Sequence, residues 1–152
     1  MPKASRYPDV GPDEPLRALA DAVLRSLWDA MLHAAGPVLA GDDPEAVHDT
    51  RVAIRRFRSA LRAFSDCYSG SAAKRLRKRT RRLGRTLGVI RDADVHLRAV
   101  NTALDGSGPE ERPGIAFVIE QIGEERGRAL AEFSAAFERF DRGALAAMLD
   151  DG

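Results

Sequence analysis

Cysteine is almost absent from this chain of 152 residues: Cys67 stands alone, which excludes an internal disulfide and any cysteine-rich metal site. Nothing calls for an oxidising compartment, and the cytoplasm is the expected location. No segment approaches the roughly 20 apolar residues that a membrane helix needs. The opening Met1-Pro2-Lys3-Ala4-Ser5-Arg6-Tyr7-Pro8 lacks the apolar stretch of a signal peptide. A soluble protein with no membrane partner is expected. Period-two alternation is missing as well, so nothing reads as a strand. There is no phosphate loop ending in Gly-Lys-Ser/Thr, no zinc-finger spacing and no recognisable helix-turn-helix. No metal and no cofactor are expected.

What is present is enough apolar material, 44%, to build the core of one domain, together with 31% charged residues. Basic and acidic residues nearly balance, 24 against 23, but they are segregated along the chain. Residues 46–100 hold 15 Lys and Arg against four acids, which leaves nine basic against 19 acidic elsewhere. Cys67 to Arg91 contains nine basic residues and no carboxylate. Solvated helices usually interleave Glu with Lys, because like charges four residues apart repel by a few tenths of a kcal/mol. Such a run needs either acidic flanks that fold over it or an external polyanion.

Apolar spacing at three and four residues throughout predicts an all-α fold, an antiparallel four-helix bundle with short loops. Leu16, Ala20, Val23, Leu27 and Met31 line a first helix that starts near Asp13 and is expected to stop around Gly36-Pro37. Asp43 and Pro44 suit the cap and first position of a second helix running to about Asp66, with Val47, Ile54, Phe57, Leu61 and Phe64 as its seam. The third, from about Ala72 to Leu104, buries Leu76, Leu83, Leu87, Ile90 and Leu97. Gly84 and Gly88 inside it cost about 1 kcal/mol each relative to Ala, so close approach of a neighbouring backbone or a ligand is expected there. A fourth helix carries Ile115, Ile119, Ile122, Ala129, Phe133, Phe137 and Phe140 and ends near Gly143. The domain therefore spans 13–143, between a flexible segment 1–12 and a short tail 144–152 that docks, frays or meets a partner.

The basic residues fall on outward faces. His48, Arg51, Arg55, Arg58 and Arg62 form a stripe on the second helix, about 100° from its seam. Lys74, Lys78, Arg81 and Arg85 form another on the third, opposite its leucines. Sequential helices are normally antiparallel neighbours, so the stripes share one surface or flank its edge. The excess of Arg over Lys favours phosphate oxygens, which its planar fork of donors matches. Charge alone does not separate DNA, RNA, acidic membrane and inorganic polyphosphate. Stacking of bases is disfavoured, because Phe57 and Phe64 both lie on the core seam.

Val47-His48-Asp49-Thr50-Arg51-Val52-Ala53-Ile54-Arg55-Arg56-Phe57-Arg58-Ser59-Ala60-Leu61-Arg62-Ala63-Phe64 closely resembles the signature helix of the CHAD family, the histidine-containing α-helical domains. Leu87-Gly88-Val89-Ile90-Arg91-Asp92-Ala93-Asp94-Val95 resembles the second element of that family. The resemblance implies a helical domain that binds long-chain inorganic polyphosphate with no chemistry attributed to it. By position it implies His48, Arg51, Arg55, Arg56, Arg58, Arg62 and Arg91 as ligands. The run that includes Lys74, Lys78, Arg81, Arg82 and Arg85 matches in general character. Family members carry two such four-helix halves, whereas one signature helix is found here. The chain therefore looks like a half domain, completed by a second copy as a homodimer, or else like a truncated or divergent member with a weaker, open site. General binding of nucleic acid, or an assembly module in which acidic helices cover the basic strip of another subunit, is the alternative.

Single residues invite sharper readings. A histidine beside bound phosphate suggests phosphoryl transfer, but no carboxylate set for a metal accompanies His48, and no enzyme is expected. Asp92 and Asp94 lie on different sides of a helix and are expected to pair with nearby arginines. His96 stands one turn after Asp92, suited to a local hydrogen bond. Cys67 is expected to be a plain thiol, and Trp28 a packing residue.

Overall fold

The structure, a computed structural model, describes residues 11, 13–41, 43–68, 70–140 and 142–150. Within them the chain forms five helices: α1 (Leu16–Ala40), α2 (Pro44–Ala63), α3 (Ser71–Asp105), α4 (Arg112–Glu138) and α5 (Arg142–Asp150). A single 3-10 turn, Ser65–Cys67, joins α2 to α3, and no strand occurs among the described residues. The fold is all-α, as expected. Apart from Gly11, the expected N-terminal segment 1–12 lies outside the described residues.

Two prolines behave differently for a physical reason. Pro44 opens α2, where its missing N–H is one of the groups left free anyway, and Asp43 Oδ1 accepts the Glu45 amide at 2.9 Å. Pro37 lies inside α1, and the break expected at Gly36-Pro37 does not occur: the helix runs on to Ala40. Ala35 and Val38 are fully buried, so stopping at Gly36 would expose the last apolar turn. The buried Thr50 hydroxyl steadies this region from α2, lying 2.7 Å from the Ala34 carbonyl and 2.8 Å from that of Ala46. At the other end α2 stops at Ala63 and passes into the 3-10 turn, short of the expected Asp66.

Each helix packs on the next in sequence, α1 on α2, α2 on α3 and α3 on α4, while α5 returns to α3 and α1. The first pairing is antiparallel: Thr50 meets Ala34, and Phe57 meets Trp28. The core is aromatic at one end. Trp28 lies 5.4 Å from Phe57 and 4.8 Å from Phe140 between ring centroids, and Phe133, Phe137 and Phe140 continue the stack. Trp28 is thus the packing residue its position suggested, and Cys67 is a free thiol.

The C-terminal residues dock. Leu145, Met148 and Leu149 of α5 are buried, and Arg17 at the start of α1 holds the helix end. Its guanidinium donates to the Leu149 carbonyl at 2.6 Å and the Cys67 carbonyl at 2.9 Å, pairs with Asp21, and lies over the Tyr68 ring. A cation at the C-terminus of α5 also suits the helix dipole. At the opposite end α3 and α4 extend together as a hairpin. Asp94 and Arg126, both nearly enclosed, clamp it at 2.7 Å. Of the two aspartates expected to pair with nearby arginines, Asp94 therefore finds one, on α4, and Asp92 makes no ion pair among the described residues. His96 and Asp92 make no hydrogen bond to each other. Farther along, Leu97, Ile115, Ile119 and Ile122 are half-buried, while Val95, Phe117 and Val118 are exposed.

Candidate anion-binding site

The stripe on α2 is set by period: Arg55, Arg58 and Arg62 sit at i, i+3 and i+7, beside a seam of Ile54, Phe57 and Leu61 that is buried against the core. On α3 the equivalent flank holds Arg77 and Arg81 at i and i+4, beside the buried Thr80. Antiparallel packing brings the two flanks together around a groove of about 390 Å³. Five arginines line it, Arg55, Arg58, Arg62, Arg77 and Arg81, with Ser59 and Ser65 adding hydroxyls, while the buried Thr80 hydroxyl donates to the Leu76 carbonyl of its own helix at 2.9 Å. No carboxylate belongs to the lining, and none of the five arginines makes an ion pair among the described residues.

Gly84 of α3 faces the α2 wall of the groove. A Cβ there would stand 3.3 Å from Arg58 Nη1 and 3.6 Å from Ile54 Cγ2. Gly88 is different, with nothing within 4 Å of a Cβ. The close backbone neighbour expected for the two glycines is found at neither: Gly84 meets only side chains, one of them an arginine of the groove, and Gly88 meets nothing.

Arg77 anchors the floor at the end near the 3-10 turn. Its Nη2 donates to the Tyr68 carbonyl at 3.1 Å, while its Nε is buried with no hydrogen-bond partner. The buried Tyr68 hydroxyl donates to Asp21. Burial first, and then that bond, pushes the phenol well above its ordinary range.

Of the twelve residues expected to bind, Arg55, Arg58, Arg62 and Arg81 line the groove. His48 is exposed and Arg51 half-buried, both toward the N-terminal end of α2 beyond it. Arg56 and Lys74 are exposed outside the lining. Lys78, Arg82 and Arg85 face the opposite flank of α3, toward α4, where Arg82 donates to Glu132 at 2.9 Å. Arg91 is half-buried with its Nη1 enclosed, and does not reach the groove. The stripe of Lys74, Lys78, Arg81 and Arg85 thus runs along the crest of α3 and divides between its two flanks. Within the run from Cys67 to Arg91, folding back of acidic flanks supplies an ion-pair partner to Arg82 alone among the described residues.

Sequence reasoning missed Arg77, Ser59 and Ser65. Arg77 was legible in principle, since it lies one turn before Arg81 on the same flank. Ser65 was not, because it depends on the 3-10 turn that ends α2.

No helix among the described residues is long and apolar enough to cross a membrane. No curated protein and no solved structure matches the chain. The CHAD domain, a family associated with polyphosphate binding, matches residues 22–151. That match takes in both the helix walling the groove from one side and the Leu87–Val95 element on the helix walling it from the other, and the protein belongs to the CHAD domain family.

Proposed function

We propose that the protein binds inorganic polyphosphate, without chemistry, in the groove between α2 and α3. The observation that carries this is the convergence of five arginines with no carboxylate partner on one open groove. Each guanidinium offers charge-assisted hydrogen bonds to phosphate oxygens, and unpaired cations side by side repel until an anion arrives. The lining holds arginines and hydroxyls but no acid to carry a metal, which favours binding over phosphoryl transfer. Nucleic acid offers the same phosphates. Its bases would find no platform here, since Phe57 and Tyr68 are buried and Phe64 is half-buried against the core.

In this reading α1 to α4 are the antiparallel four-helix half of a CHAD domain, and a second copy supplies the other half. The exposed Val95, Phe117 and Val118 on the α3–α4 hairpin favour such a homodimer, because a two-helix hairpin leaves its apolar stripe uncovered. A lone free thiol suits work in the cytoplasm.

The test is a salt-titrated competition between long-chain polyphosphate and double-stranded DNA at equal phosphate concentration, with molar mass measured in parallel. Polyphosphate is expected to win, with a log–log salt slope of ~0.7 to 0.9 per neutralised phosphate. Arg58→Glu with Arg81→Glu is expected to abolish binding while leaving the helical circular dichroism intact. Equal or preferred binding of DNA would make the groove a general polyanion surface. Unchanged polyphosphate affinity in the double variant would refute the site.

A further inference from the structure

The basic run of α3 holds more cations than the α2-side groove takes. On the opposite flank, against α4, lies a second groove of about 660 Å³. Lys78, Arg82 and Arg85 reach it from α3, and Arg128, Glu125 and Glu132 from α4. It is cationic by count but partly masked: Arg82 Nε and Nη2 both donate to Glu132 Oε1, at 3.2 and 2.9 Å.

The two grooves share the crest of α3. Arg81 lines the first, while Lys78 and Arg85, three residues before it and four after it, line the second. Side chains at these spacings are surface neighbours on a helix, so a phosphate chain leaving Arg81 meets the second set of cations within one turn.

We propose that the α3–α4 groove is a subsidiary phosphate site for the continuation of a polyphosphate chain already held between α2 and α3, and that Glu132 masks it by occupying Arg82. The proposal rests on the reading of the first groove as the polyphosphate site. Glu125 and Glu132 repel a free anion, so the groove alone is a poor site for a short phosphate. A chain tethered next door arrives at high effective concentration and exchanges for the Glu132 carboxylate at Arg82. That exchange is inexpensive, because the Arg82–Glu132 pair is solvent-exposed on both sides, and exposed pairs are weak. Chain length is then read by geometry: short chains fill the first groove, and long ones also cross the crest.

The experiment compares Glu132→Gln with Glu120→Gln, an equal change of charge on the same helix outside both grooves, using triphosphate and long-chain polyphosphate as probes. Glu132→Gln is expected to tighten long-chain binding by about two- to fivefold, the scale of one exposed ion pair. It should leave triphosphate unchanged, and Glu120→Gln should change neither. Adding Arg82→Gln to Glu132→Gln should erase the gain. Equal effects of the two glutamate variants, or an equal gain for triphosphate and the long chain, would overturn the proposal. If the parent protein binds long-chain polyphosphate and Glu132→Gln leaves it unaltered, this inference alone falls. If the parent protein binds none, the reading of the first groove falls with it.

Discussion

Arg58 of α2 lies across Gly84 of α3, its Nη1 3.3 Å from where a Cβ would stand. The contact links the packing of two helices to the aim of a cation lining the groove. Gly84→Ala is expected to gain helix propensity, about 0.5–1 kcal/mol, and the neighbour that must give is the far end of a flexible side chain. Stability should therefore hold or rise, while polyphosphate affinity falls because Arg58 is pushed aside. Gly88→Ala, with open space around it, should gain stability by a similar margin and leave affinity alone. Urea denaturation and polyphosphate titration of both variants test this. A loss of affinity in Gly88→Ala would place ligand over that position instead.

The same pair shows how much was legible in the sequence. Helix periodicity located the seams of α2 and α3 well, because Ile54, Phe57, Leu61, Leu76, Leu83 and Leu87 are buried by one simple rule. Periodicity also put Arg55, Arg58 and Arg62 on an outward face. It did not say which neighbour that face meets. The crest of α3 divides between two flanks because α2 and α4 pack on opposite sides of it, a tertiary fact. The continuation of α1 through Pro37 was hidden for a similar reason, since burial of Ala35 and Val38 overrides a local breaker.

Unpaired arginines in the groove also predict a thermal response. Like charges held close destabilise the folded state, and an anion that binds only that state stabilises it by mass action. At 100 times the dissociation constant the gain is about 2.7 kcal/mol. Polyphosphate should therefore raise the Tm at low salt, with the rise shrinking as salt is added. The Arg58→Glu with Arg81→Glu variant should begin with an unchanged or higher Tm and show no rise. A Tm that responds equally in both proteins would argue against the groove.

Arg17 ties three segments together through the carbonyls of Cys67 and Leu149 and the carboxylate of Asp21. Arg17→Ala leaves those acceptors short of a charged donor, at a cost on the order of 2 kcal/mol. Because α5 is short and its end depends on this side chain, the loss should appear first as local opening. Hydrogen exchange is expected to speed up in α5 before the rest of the fold, and polyphosphate binding at low temperature should persist. Uniform exchange across all helices would mean that α5 is held by Leu145, Met148 and Leu149 alone.

Tyr68 sets an alkaline limit on stability. Burial and the hydrogen bond to Asp21 raise its pKa in the folded state, since a phenolate there would be desolvated and face a carboxylate. In the unfolded chain the phenol titrates near its ordinary value of about 10. The folded state keeps a proton that the unfolded state gives up, so the contribution of Tyr68 is complete below about pH 10 and is lost as pH rises further. Tyr68→Phe removes the hydrogen bond and should cost about 1 kcal/mol near neutrality. The gap between parent and variant should then narrow between about pH 10 and pH 11, as the parent alone bears the cost of holding that proton. Urea denaturation of both proteins across this interval measures the gap directly, and a gap that stays constant would mean that the Tyr68 phenol ionises as readily in the fold as out of it.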